Sequence, residues 1–208
     1  MMKQRVAKVS SRERLLQKAI QLFSERGLRE TTVGDIEEAA GLTRRAGGFY
    51  RHFASKEEVV IEALRRAAEE MIAEVRLDEV LSLKAPRAEL LVIARALIRH
   101  AETYRPVRLI LQQEARKLPA LRRAAQSANK RLATLDVVPW VKNVLHRSGA
   151  ATTKVRELTL LIFGPVLFYI YSLDRADPAF GVETEKFLAT WADHWADWFE
   201  RRSRDPGW

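Results

Sequence analysis

The sequence predicts an all-α protein of about nine helices, and three observations predict it. Apolar residues recur every three to four positions along most of the chain, the spacing that lines one face of a helix. Strand signals are nearly absent, with no Asn-Gly or Asp-Gly turn and few alternating β-branched stretches. Glycines and prolines are scattered where helices would stop or start, so no flexible linker divides the chain.

The elements follow in order. Leu15/Leu16, Ala19/Ile20 and Phe23 give the first helix, with Ser10 or Ser11 as N-cap and Gly27 as its stop. Thr31 or Thr32 opens a short second helix that carries Val33, Ile36 and Ala39/Ala40 and closes at Gly41. A third short helix is expected from about Ala46 to Phe53. Ser55 followed by Glu58 reads as a capping box for a long fourth helix through Val75. Pro86 begins a helix that continues through Leu90 to His100, and Pro106 begins another that ends before Pro119. Leu121 to His146 reads as one long helix, with Pro139 as its candidate bend and Gly149 as its end. Thr152 or Thr153 starts a helix reaching Leu173, and the turn from Asp174 to Pro178 precedes a last helix, Glu183 to Arg202. The expected organisation is a head, residues 1–56, and a body, residues 57–208, sharing the fourth helix.

Composition narrows the function classes. Hydrophobic residues are 47% and charged residues 30% of 208, which are globular values. The formal charge of +9 favours an acidic partner, nucleic acid or an anionic membrane. Absence of cysteine excludes disulfides, thiolate metal sites and cysteine nucleophiles. The richest apolar run, Leu158 to Ile170, is broken by Gly164 and Pro165 and falls short of a span of roughly 18 residues. The N-terminus is polar and basic without an apolar h-region, so the expected location is the cytoplasm.

The informative stretch runs from Thr31 to Glu58. It reads as two short helices joined at a glycine turn, with small residues, Ala39 and Ala40, where they cross and Phe49 and Phe53 facing the core. That is helix-turn-helix geometry, whose second helix lies in a major groove. The outward face offers Arg44, Arg45, Gly47, Gly48, Tyr50, Arg51 and His52. Arginine can bind guanine bidentately, and tyrosine and histidine can donate to phosphate. Residues 1–60 hold 12 Lys/Arg against 8 Asp/Glu, so the residue pattern and not the net charge carries the nucleic-acid reading. The arm Lys3, Arg5, Lys8, Arg12 and Arg14 is either a solvated tail or a reach into an adjacent groove.

Residues 11–60 resemble the DNA-binding domain of the TetR family of transcriptional regulators. The residues that carry the resemblance are Gly27, Thr31-Thr32, Asp35-Ile36, Ala40-Gly41-Leu42, Phe49-Tyr50 and His52-Phe53, followed by Ser55-Lys56-Glu57. Between Gly41 and Phe49 the chain is two residues longer than the commonest pattern, through Thr43 to Ala46. The resemblance implies a TetR-like fold with a helix-turn-helix head on a helical ligand-binding and dimerisation body. It implies phosphate contacts at Thr32, Tyr50, His52 and Lys56, and base-reading candidates at Arg44, Arg45 and Arg51. Thr43 and Gly48 complete the expected DNA-binding set. The implied function is a ligand-responsive regulator, released as a repressor from a palindromic double-stranded operator by a small apolar or amphipathic effector.

For the body, Leu97, Tyr104, Leu111, Trp140 and Phe163 are expected to converge on an apolar cavity of a few hundred Å3. Phe187, Trp191, Trp195 and Phe199 stand four residues apart as one apolar stripe, and the helix from Glu157 to Leu173 is apolar on nearly every side. Two such helices from each of two chains would form a homodimeric four-helix bundle; the alternative is a stripe that packs inward on its own body. His194 between Asp193 and Asp197 reads as a solvated acidic face. No catalytic residue, metal, cofactor or membrane partner is expected, since no phosphate-cradling glycine loop, His-Glu-x-x-His or nucleophile elbow occurs. The competing readings are a helical enzyme or lipid carrier, and then a basic protein on membrane surfaces.

Overall fold

The computed structural model describes residues 9–44, 46–74, 77–132, 137–149, 153–174 and 178–204. Among these residues it holds ten α-helices, one 3-10 turn and no strand. The chain divides into two compact units, residues 1–69 with 103–130, and residues 70–102 with 131–208. The expected division at residue 56 differs from this packing because residues 103–130 bring Val107, Ile110 and Leu121 into the core of the head.

In the first unit, α1 (Ser11–Arg26) starts at Ser10, whose hydroxyl accepts the Glu13 N–H, and stops at Gly27, φ +91°. Its buried face, Leu15, Leu16, Ala19, Leu22 and Phe23, follows the predicted spacing. α2 (Val33–Ala39) opens on a complete capping box between Thr32 and Asp35. α3 (Lys56–Glu74) begins after Ser55, whose hydroxyl accepts the Glu58 N–H, while the Glu58 carboxylate accepts from Ala54.

The third predicted helix is a correction. Residues 46–53 form turns, with Phe49 accepting from both His52 and Phe53 at its carbonyl, and no regular helix. Gly47 is left-handed, φ +72°, and two consecutive glycines carry too little helix propensity for so short a segment.

The first unit is completed by two later helices, which together with those of the second unit are numbered in chain order: α4 (Leu77–Leu81), α5 (Pro86–Thr103), α6 (Arg105–Glu114), α7 (Pro119–Leu132), α8 (Val137–Arg147), α9 (Val155–Ser172) and α10 (Thr184–Arg204). α6 and α7 belong to the first unit, where α6 packs on α1. The others, with the 3-10 turn Pro178–Gly181, build the second. The single helix expected from Leu121 to His146 is two, α7 and α8; residues 133–136 lie outside the described residues. α9 runs through Gly164 and Pro165 as continuous helix.

Aromatic residues fill the second core. Trp140 meets Phe163 and Phe199 edge-on at 5.9 and 6.2 Å, and Phe163 lies 6.0 Å from Trp191. α9 buries Ile162, Phe163, Val166, Tyr169 and Ile170 there. Its other face, Leu160, Leu161, Leu167, Phe168 and Tyr171, is exposed, Leu160 by 70%. Gly164 lies at the middle of that stripe, with open space where a Cβ would stand. By length and composition alone α9 could cross a membrane, although a third of it is buried in the protein.

Candidate nucleic-acid interface

Local chemistry fixes the head before any ligand is considered. Thr31 is buried and its hydroxyl donates to the Gly27 carbonyl at 2.9 Å, closing the turn between α1 and α2. Thr32 holds the exposed start of α2, its hydroxyl and amide both donating to Asp35 at 2.6 and 3.0 Å. Those two hydrogen bonds, helped by the nearby charge of Arg44, hold the Asp35 carboxyl below its usual range.

The segment after α2 is anchored by a group that the sequence patterns do not reveal. Glu37 is fully buried, and its carboxylate accepts the Phe49 N–H at 2.9 Å. Gly48 is packed so closely that a Cβ would approach Leu42 Cδ1 to 3.2 Å and Glu37 Oε1 to 3.5 Å. Gly48 is therefore a close-packing residue of the turn and not a surface offered to DNA. Phe49 and Phe53 are buried with ring centroids 5.7 Å apart, and Arg12 lies over the Phe53 ring at 4.9 Å. Between these anchors the chain turns Tyr50, Arg51 and His52 outward, Tyr50 being 63% exposed. Thr32 and Thr43 are exposed as well. Arg45 lies outside the described residues.

Three basic residues have other work than the one expected. Arg44 folds back onto α2, 3.0 Å from Asp35 and 3.6 Å from Glu38. Arg14, read as part of a basic arm, donates to the carbonyl of Ala40 at 3.0 Å and so caps the end of α2. Arg12 joins Arg65 and Arg66 on Glu62, and these partners, Arg65 foremost, lower the Glu62 carboxyl to about 2. Lys3, Arg5 and Lys8 lie outside the described residues.

Lys56 is the clearest correction. Its ammonium donates to the carbonyls of Leu28, Arg29 and Thr31 at 2.6, 3.3 and 2.9 Å, tying the α1–α2 loop to the start of α3. An ammonium has three protons, and here all three are used inside the head. Lys56→Ala is therefore expected to destabilise the chain by about 2 kcal/mol, the scale for hydrogen bonds to a charged group, in a thermal or urea melt. An unchanged melt together with weaker DNA binding would return this residue to the phosphates.

The match to a known family falls on this unit. Residues 15–63 match the family model described as bacterial regulatory proteins, tetR family. Residues 15–63 thus form a domain like the DNA-binding domain of the tetR family. The transcriptional repressor KstR2 of Mycobacterium tuberculosis is 41% identical over 109 residues, 52% of this chain and 53% of the relative. KstR2 of Rhodococcus jostii is 46% identical over 69 residues, 33% of each chain. The chain thus matches about half the length, or less, of these curated relatives. The fold similarity extends further. The KstR2 structure from M. tuberculosis has a TM-score of 0.58 at 26% identity, covering 92% of this chain and 94% of that one. PfmR from Thermus thermophilus, a tetR-family regulator, has a TM-score of 0.63 at 23% identity, covering 92% and 96%.

The five expected pocket residues fall in two different cores. Leu97, Trp140 and Phe163 belong to the second core, whereas Tyr104 and Leu111 pack on the first. Trp140 is closed off from solvent, and its indole N–H donates to the buried Glu89 at 2.8 Å. A groove of about 350 Å3 lies elsewhere, lined by Leu161 and Pro165 of α9 and by Phe187, Thr190, Trp191, His194 and Trp195 of α10. The aromatic stripe of α10 is also corrected. Trp191, Trp195 and Phe199 are buried in their own chain, the Trp191 N–H donating to the Ile162 carbonyl at 2.7 Å, and Phe187 stacks on Tyr169 at 4.4 Å. The stripe turns inward because α8 and α9 already offer it an apolar surface within the protomer.

Proposed function

We propose that this chain is a DNA-binding transcriptional regulator that works as a homodimer and represses from a palindromic operator. The observation that carries the reading is the turn at residues 47–53. Two buried phenylalanines and a buried glutamate hold it rigidly, and it turns Tyr50, Arg51 and His52 outward together. Such a cluster suits a groove edge, with Arg51 as base reader and Tyr50, His52 and Thr32 on phosphates. The exposed stripe of α9 supports the dimer, and Gly164 at its centre lets a second helix approach closely.

The effector we infer is apolar or amphipathic. In support, the groove on α9 and α10 is lined by apolar and aromatic side chains, and one relative is described as a ketosteroid transcriptional regulator. Its binding would favour a dimer arrangement that no longer matches the operator half-sites. The test is selection of a binding site from random duplex DNA, followed by titration at rising salt against excess scrambled competitor. A two-fold symmetric site retained against competitor, and released by a ketosteroid, is the expected result. Binding without sequence preference would sink the operator, and indifference to steroids and other apolar ligands would sink the effector.

A further inference from the structure

α2 is an odd helix to lie beside a polyanion. Its seven residues, Val33 to Ala39, include three carboxylates, Asp35, Glu37 and Glu38, and no lysine or arginine. In a helix-turn-helix the first helix crosses the DNA backbone, where bare carboxylates would meet phosphates as like charges. The fold deals with each of them. Glu37 is buried and turned onto the Phe49 amide. Asp35 and Glu38 face outward, and Arg44 bridges them, Nη2 at 3.0 Å from Asp35 Oδ1 and Nη1 at 3.6 Å from Glu38 Oε2.

Arg44 reaches that place because residue 34 is glycine. A Cβ on Gly34 would stand 2.9 Å from Nε, 3.0 Å from Cγ and 3.5 Å from Cδ of Arg44, so its nearest neighbours would all belong to that one side chain. Gly34 is an ordinary helical residue of α2, so backbone freedom does not require glycine there; the space does. The Arg44 side chain fills the space and remains half exposed, at 50%. A guanidinium has five N–H donors, so two carboxylate contacts leave others for a further acceptor.

Resting on the regulator reading, we propose that Arg44 gives α2 the phosphate-binding cation its own sequence lacks. Gly34, Asp35 and Glu38 position it. Arg44 contacts the DNA backbone and reads no base. A phosphate contact strengthens binding to all sequences alike, whereas a base contact strengthens the cognate site selectively.

The experiment measures affinity for the selected operator and for scrambled duplex across a salt series, with melting curves for each variant. Arg44→Ala is expected to weaken both by the same factor and to flatten the log–log salt slope by about 0.9 for each phosphate no longer neutralised. Gly34→Arg in the Arg44→Ala background places a cation on the same face of α2 from the helix itself and is expected to restore affinity and slope. Glu38→Gln in that background, which removes one bare carboxylate, is expected to recover part of the affinity even if the arginine swap folds poorly. A loss confined to the operator overturns the proposal, as does an Arg44→Ala chain that binds both DNAs normally, or a failure of both second substitutions to recover anything. A wild-type chain that binds neither DNA overturns the regulator reading itself, which separates the two failures.

Discussion

Replacing Arg147 by methionine is expected to destabilise the protein by about 3 kcal/mol. Its partner, Glu89, is fully buried at the start of α5. One carboxylate oxygen accepts the Ala85 N–H at 3.1 Å and Arg147 at 2.9 Å; the other accepts the Trp140 indole at 2.8 Å and Arg147 at 2.7 Å. Without the guanidinium the carboxylate keeps two neutral donors but loses its counter-charge, and a buried charge left unpaired costs about 3–5 kcal/mol. The lower figure applies because the Arg147 side chain is 28% exposed and water can partly replace it. The urea midpoint should fall by roughly 1 M or more. Glu89→Gln added to Arg147→Met removes the stranded charge and keeps an acceptor for Trp140, so the double variant should be more stable than the single one. A single variant within about 0.5 kcal/mol of wild type, the range of ordinary surface changes, would show that the pair is not needed.

The second large effect is expected on α9. The wild-type chain should sediment at twice its 23.8 kDa mass at micromolar concentration. Phe168→Glu is expected to return it to the monomer, because it sets a charge in the exposed apolar stripe that would meet its own copy across a two-fold axis in the proposed dimer. Loss of a central aromatic anchor commonly costs 2 kcal/mol or more, about 30-fold in dissociation constant, and operator binding should fall with it. Gly164→Leu should act in the same direction by filling the open centre of the stripe. Trp191→Ala behaves differently: it removes a buried indole and its bond to the Ile162 carbonyl, so its effect should appear in the melt, at about 3–5 kcal/mol. A wild-type monomer, or a Phe168→Glu dimer, would reject the α9 interface.

Much of the head is legible in the sequence. Ser10, Gly27, Thr32 with Asp35, and Ser55 with Glu58 act locally, across three or four residues of one segment, and each does in the structure what its type predicts. The motif from Thr31 to Glu58 also carries the likeness of the head to the tetR family, since its spacing is a property of sequence alone. Residues 46–53 read as helix in the sequence because the spacing of Phe49 and Phe53 is helical, even though Gly47 and Gly48 are not helix formers.

The sequence by itself determined the all-α class, the start and stop of most helices, and the family of the head, because caps and amphipathic periodicity act through neighbours in the chain. Only the tertiary structure decided which cation serves which acceptor. It turned Lys56 onto three carbonyls, Arg44 onto α2, Glu37 inward to Phe49 and Glu89 onto Arg147. It also decided that the tryptophans of α10 face their own core while one side of α9 stays bare. A side chain's charge and period say that it needs a partner; packing between segments distant in sequence decides which partner it meets.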